Sequence, residues 1–370
     1  MRNSRASRTD QNNMDPELFK QLAKEQILAA AAQRRTLEIR GGGSKRWYGQ
    51  LVQGELLDTR AYSGVIDYEP TELVITARCG TPLAEIEALL AQHNQVLPFE
   101  PPHFGSAATL GGMVASGLSG PSRQAVGALR DFVLGAVLMD GKGDILHFGG
   151  QVMKNVAGYD VSRLLAGSLG TLGLILEVSL KVLPRPLASS SRRFAMGEAE
   201  AIRSLNQWGG LPLPISASCW QDGQLTLRLS GAQAAVSAAE QNLGGEAVAD
   251  ADDFWQALRE QTHAFFAPAA AQKPLWRLAL PSTAAPLALP GAVLIEWGGA
   301  QRWLFTDTDA QAIRSAAAAA GGHATLYRGG DKDAGVFHPL APALAQIHRR
   351  LKASFDPAAI FNIGRMYQDF

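Results

Sequence analysis

"RGGGSKRWYG", Arg40 to Gly49, holds four glycines, a serine and three cationic side chains in ten residues. It follows "TLEI" (36–39), a short apolar run that reads as a strand. Glycines placed after a strand let the backbone turn tightly or lie close against another group. Two more glycine-rich stretches follow: "EPPHFGSAATLGGMVASGLSGPSR" from Glu100 and "NVAGYDVSRLLAGSLGTLGLILEVSLKV" from Asn155. None has the Gly-x-Gly-x-x-Gly spacing of a dinucleotide crossover, and none ends in the Gly-Lys-Ser/Thr of a P-loop. Three such segments, each beside an apolar strand or helix, exceed what ordinary turns require. Successive free N–H groups form a concave nest for an anion, and Ser or Thr hydroxyls add donors. The pattern points to a phosphate-bearing cofactor.

At 370 residues the chain is too long for one ordinary core. Lys+Arg and Asp+Glu balance at 34 each, which argues against a nucleic-acid footprint or a polybasic membrane patch. Cys79 and Cys219 have no metal-ligand or redox spacing, so reduced thiols are expected. The longest apolar stretch, Leu164 to Pro184, is interrupted by Glu177 and Lys181 and is no membrane span. The first 13 residues are polar, lack the apolar core of a secretory signal, and read as a disordered tail or an upstream start.

From Met14 helices, strands and glycine loops alternate. A first helix is expected to bury Leu18, Leu22 and Ile27 or Leu28. A second, "TPLAEIEALLAQHNQ", is expected to use Thr81 as N-cap and Pro82 as its first residue, with Leu83, Ile86, Leu89 and Leu90 inward. "DFVLGAVLMDGKGDILHFGG" reads as a hairpin across Gly141–Asp144. The polar segment "RPLASSSRRF" from Arg185 marks a boundary. Hairpins interleaved with helices follow it, an α+β layer with one antiparallel sheet covered by helices on one face.

The Arg-Gly-Gly-Gly-Ser loop, the Thr-Leu-Gly-Gly-Met-Val-Ala-Ser-Gly segment and the Gly-Ser-Leu-Gly-Thr-Leu-Gly-Leu-Ile motif occur in that order, before a closing "FDPAAIFNIGRMY". This resembles the FAD-binding domain shared by vanillyl-alcohol oxidase and p-cresol methylhydroxylase. Within that family it is most similar to FAD-binding subunits of bacterial glycolate oxidase. The resemblance implies an α+β fold: a two-subdomain FAD-binding domain of the p-cresol methylhydroxylase type plus a smaller α+β cap domain with an antiparallel sheet. The divisions are a tail 1–13, the FAD-binding domain 14–187, the cap 188–330, and a C-terminal return to the flavin over 331–370. It also implies site residues. Gly41, Gly42, Gly43 and Ser44 would cradle the pyrophosphate, with Arg40 and Lys45 either compensating charge or solvated. Thr109, Gly111, Gly112, Ser116 and Gly117 would form the second loop. Gly173 and Ile175 would lie along the adenosine half, and Asn362 would approach the flavin from the return. The family's usual Asn-Pro-Gly is Asn-Ile-Gly here. No His or Cys flanks the first loop for covalent attachment, and His103 is the one alternative, so non-covalent FAD is expected.

Oxidising a 2-hydroxy acid needs a base, a cation for the carboxylate and a hydride acceptor. The catalytic flavin subunits of this family group carry a metal-binding His-x-His-x-Gly-x-Gly-Asn stretch, which is absent here; no metal is expected. Tyr159, Asp160, His338 and Arg365 are the candidate catalytic groups, Tyr159 and Asp160 alternatively capping the helix after them. Trp47 and Tyr48 are the tryptophan and tyrosine best placed to stack on a ligand. The resemblance therefore implies a subunit of a glycolate oxidase, oxidising glycolate to glyoxylate beside a paralogous FAD subunit and an iron–sulfur subunit. Its expected place is cytoplasmic, with membrane contact only through partners and no nucleic-acid contact. The alternatives are a self-sufficient dehydrogenase of another 2-hydroxy acid such as D-lactate, or a non-catalytic scaffold.

Overall fold

Asp15 opens the first helix, Pro16–Gln33, by accepting from the N–H groups of Glu17 and Leu18, with Pro16 at the first position that needs no donor. The structure, a computed structural model, describes residues 14–150 and 160–368. The helix buries Phe19, Ala23, Ile27 and Ala30; of the expected stripe only Ile27 is inward, and Leu18, Leu22 and Leu28 are each more than 40% exposed. The two small alanines let the helix approach closely, and Phe19 stacks on Tyr62 with ring centroids 4.8 Å apart. Beneath it strand Leu37–Arg40 pairs in parallel with Glu55–Asp58, and Phe361 adds a parallel bridge to Leu37.

A five-stranded, wholly antiparallel sheet follows. Its order is Val65–Glu69, Val74–Arg78, Leu174–Lys181, Val133–Met139, Ile145–Gly149. The expected hairpin is its last pair. Helix Leu83–Gln92 buries Leu83, Ile86 and Leu90. It starts one residue later than the capping pattern suggests: Thr81 instead accepts from Gly64 N–H at 2.9 Å and donates to the Arg78 carbonyl at 2.7 Å, tying the strand end to the preceding turn.

The second sheet has eight antiparallel strands, from Ala188 to Arg328 in sequence. Their order is Glu246–Ala247, Ala188–Ala195, Gln224–Gly231, Ile215–Gln221, Ala292–Glu296, Gln301–Phe305, Leu275–Ala279, His323–Arg328. Side chains alternate between its faces. Trp220, Ile295, Trp276, Leu304 and Leu326 face helices Glu198–Gly209 and Ala310–Ala319. Cys219, Leu294, Leu275, Trp303 and Tyr327 face the other way, onto Tyr48, Leu118 and Leu169 of the first half. Helix Ala251–Glu260 joins this second face through Trp255 and Leu258, so helices cover both faces rather than one. The reason is electrostatic as well as apolar. Arg259 pairs with Glu87 at 2.7 Å, and Glu260 accepts the N–H groups of His103 and Phe104, stitching the helix to the first half.

The C-terminal helix Pro342–Phe355 is largely exposed, but its last turn is clamped. Lys352 Nζ reaches the Thr171 carbonyl and Asp356 at 2.6 Å each and the Phe361 carbonyl at 2.8 Å, all buried. Asp356 in turn accepts the N–H groups of Ile360 and Phe361. This clamp returns the chain to the first strand.

Candidate functional site

The first glycine loop leaves its strand with the N–H groups of Gly41 to Lys45 donating to no other described residue. A Cβ on Gly41 would lie 2.3 Å from Thr109 Oγ1, and one on Gly42 only 1.4 Å from the Ala107 carbonyl oxygen. Glycine is thus required where the loop rests on the second segment. Free backbone donors beside a surface that admits no side chain are the donor set a pyrophosphate needs. The cleft between the loops is narrow, about 90 Å³ in its enclosed part. Arg40, Gly41, Gly42, Gly43, Ser44, Lys45, Thr109, Gly112, Ser116, Asn362 and Arg365 all line it.

The expected cations prove to be differently employed. Arg40 forks onto the buried Glu38 carboxylate, and Arg46 grips the same carboxylate from the other side at 2.9 Å. Burial alone would raise the Glu38 pKa, but hydrogen bonds and charge from the two arginines hold it below the usual carboxylate range. Lys45 points to the His103 carbonyl at 3.2 Å, and burial pushes its pKa down to about 8. Arg365 binds the carbonyls of Gln50 and Lys45, bracketing the loop, and burial lowers it to about 10. The pattern Glu-x-Arg in a strand, with side chains on one face, was the overlooked signal for Glu38.

Asn362 sits in the left-handed region (φ 43). Its Oδ1 accepts from Ile39 N–H at 2.9 Å and its Nδ2 donates to the Leu169 carbonyl at 2.6 Å, joining the first strand to the third glycine segment. Thr109 caps helix Leu110–Ser116, and Gly117 ends it in the left-handed conformation (φ 64).

Gly111, Gly117, Gly173 and Ile175 do not line the cleft. Added Cβ atoms would meet Cys79 Cβ at 2.7 Å from Gly111, Gly167 N at 2.7 Å from Gly117 and the Met139 carbonyl at 2.7 Å from Gly173, so these glycines serve close packing behind it. Ile175 is buried in the five-stranded sheet. Tyr159 lies outside the described residues. Asp160 is exposed, pairing with Arg163 at 2.6 Å and accepting from the Ser162 hydroxyl; the short helix Ser162–Leu165 has Val161 at its N-cap and no side-chain cap, so Asp160 does not cap it as the alternative expected. His338 lies near His323 (ring centroids 6.4 Å) with burial lowering its pKa, and it does not line the cleft. His103 pairs with Glu87 at 3.1 Å. Trp47 contacts Phe104 and Tyr327, and Tyr48 accepts a hydrogen bond from Arg277 at 2.9 Å, so both face the second sheet.

That seam holds a buried acid the sequence hid in an apolar strand. Glu296 accepts from Trp303 Nε1 at 2.6 Å and Gln301 Nε2 at 3.1 Å. Burial pushes its carboxyl up to about 7 despite these bonds. A raised acid is a proton the folded chain keeps longer than the unfolded one. Stability is therefore full below the unfolded pKa and falls as pH rises from about 4.5 to 7, by roughly 3 kcal/mol. Urea midpoints should drop across this range in the wild type and stay more level in Glu296→Gln; equal slopes would place the proton elsewhere.

A family described as "FAD binding domain" matches residues 22–149. Glycolate oxidase subunit GlcE of Escherichia coli (strain K12) is 49% identical over 351 residues, covering 95% of this chain and 98% of that protein. Glycolate oxidase subunit GlcD of Bacillus subtilis (strain 168) is 32% identical over 123 residues, covering 33% of this chain and 26% of that protein. Among solved structures, an alkyldihydroxyacetonephosphate synthase shares the fold, with a TM-score of 0.61 at 15% identity over 95% of this chain and 76% of that one.

Proposed function

The chain belongs to the GlcE family of glycolate oxidase subunits, and on that premise we propose a division of labour for its residues. It is an FAD-binding subunit of a flavin-dependent oxidoreductase that works with partner subunits. Bound FAD supplies the hydride acceptor for oxidation of glycolate to glyoxylate. The single observation that carries the site is the run of N–H groups from Gly41 to Lys45 without a partner among the described residues, beginning at two positions, Gly41 and Gly42, closed to side chains.

In this reading those donors, with the hydroxyls of Ser44, Thr109 and Ser116, receive the pyrophosphate without covalent attachment. Arg365 places positive charge at the cleft, and Asn362 holds the first strand against the third segment. Gly111, Gly117, Gly173 and Ile175 keep the loops in register from behind. The inner face of the eight-stranded sheet, with Tyr48, Leu118 and Leu169, excludes water. Residues 14–187 and the return 331–370 form the flavin unit, and 188–330 its cap. The partners are a paralogous FAD subunit and an iron–sulfur subunit. No helix among the described residues is long and apolar enough to cross a membrane; the reading places the chain at the cytoplasmic side, reaching a membrane through those partners.

The test is turnover. FAD-loaded chain alone, with glycolate or D-lactate and a dye acceptor, should be nearly inactive, and addition of partner subunits should restore glycolate oxidation. Robust turnover alone would favour a self-sufficient dehydrogenase. A colourless chain that binds no FAD would leave only a scaffold.

A further inference from the structure

A cavity of about 670 Å³ opens between the first glycine loop and the end of strand His323–Arg328. Ser44 lines both this cavity and the cleft, so the two adjoin. Arg328 and Lys332 line it, and none of its described lining residues is a carboxylate. Lys332 Nζ is engaged by the carbonyls of Trp47 and Gly49 at 2.6 and 2.7 Å, neutral groups that leave its charge uncompensated.

Arg328 is held flat against the Trp47 ring at 4.0 Å and near Phe104 at 5.3 Å. Its Nε is buried and has no hydrogen-bond partner among the described residues. A desolvated guanidinium with an unused donor is costly unless an anion completes it. Gln261, the left-handed residue (φ 55) that ends helix Ala251–Glu260, lines the same cavity. Its Oε1 is a buried acceptor, also without a partner among the described residues; the Gln261 side chain bonds the Tyr327 hydroxyl and borders a smaller enclosed cavity as well. The lining residues thus include an orphan donor on a cation and an orphan acceptor. A carboxylate satisfies the first, and a neighbouring hydroxyl, donating, satisfies the second.

We propose that this cavity is the docking site of a small 2-hydroxy acid, with Arg328 taking the carboxylate and Gln261 accepting from the hydroxyl. This rests on the flavin-subunit reading and adds the residues that choose the substrate class. A simple carboxylate such as acetate would satisfy Arg328 and leave Gln261 unpaired, so the site discriminates by the hydroxyl.

The experiment is calorimetric titration of the full chain, purified with FAD, using glycolate, acetate and inorganic phosphate. Flavin-to-protein ratio is recorded for every variant. Wild type should bind glycolate about tenfold more tightly than acetate, the contribution of one hydrogen bond. Arg328→Met should weaken glycolate by roughly thirtyfold with flavin content unchanged, and Arg328→Lys should recover part of it. Gln261→Leu should bring glycolate and acetate together. Should Arg328→Met fold poorly, Arg328→Lys and Gln261→Leu still read the two contacts. Unchanged glycolate affinity in Arg328→Met, no binding by the wild type, or phosphate binding as tightly as glycolate would each overturn the proposal while the flavin remains in place. A wild-type chain without flavin would instead refute the subunit reading, and the Arg328 comparison would then be made on that flavin-free chain.

Discussion

Gly42→Val is expected to yield folded protein almost free of FAD. The new Cβ would fall 1.4 Å from the Ala107 carbonyl oxygen, a backbone atom that cannot rotate away. The first loop must then lift off the second, and the run of N–H groups from Gly41 to Lys45 loses its shared curvature. Overpacking of this kind costs roughly 3 kcal/mol or more, about a hundredfold in affinity when it falls on the binding conformation. The flavin absorbance near about 450 nm, set against protein absorbance, measures it. Far-UV circular dichroism should match wild type, because the loop lies between elements rather than inside one. Gly197→Ala is the matched control: a Cβ there meets nothing within 4 Å, and flavin content should not change. Stoichiometric FAD in Gly42→Val would refute the loop's assignment.

Lys352→Met is expected to release the C-terminal return. The substitution removes three buried contacts at once and leaves the Asp356 carboxyl, 1% exposed, without its cation. Removing one partner of a buried ion pair costs about 3–5 kcal/mol. The loss should be local first, since residues 356 to 365 are held by this clamp and by Asn362. Hydrogen exchange should therefore accelerate at Ile360, Phe361 and Asn362 before the eight-stranded sheet is affected. Lys352→Met with Asp356→Asn should recover much of the protection, because the stranded charge is gone while an acceptor for Ile360 and Phe361 remains. Protection unchanged in the single variant would show that the return is held by apolar packing instead.

The two predictions draw on different layers of information. The glycines of the first loop were legible because glycine is nearly the only residue that permits backbone contact at such distances, so its spacing advertises the contact. Hairpins and the sheet-forming segments were legible through alternation and turn chemistry, as with Val133–Met139 and Ile145–Gly149. The buried face of the first helix was not: Leu18 and Leu22 are as periodic as Phe19 and Ala23, and only the close approach of the underlying strands favours the smaller residues. Burial of charge was hidden for a similar reason. Glu38 has Arg40 two residues on in its own strand and Lys352 has Asp356 one helical turn on, yet nothing local marks these groups or Glu296 as buried, because the residues that cover them come from other elements.

From sequence alone came the glycine-rich loops, the α+β class and the family, since each rests on residues near one another in the chain and on backbone constraints a side chain would violate. Tertiary structure alone decided what the charges do. It put Arg40 and Arg46 on Glu38, Lys45 under Phe104, and Arg328 and Gln261 in the lining of one cavity with a donor and an acceptor to spare. Charge acts through space over a few ångströms and is rewritten by burial, so its role is settled only once distant segments are brought together.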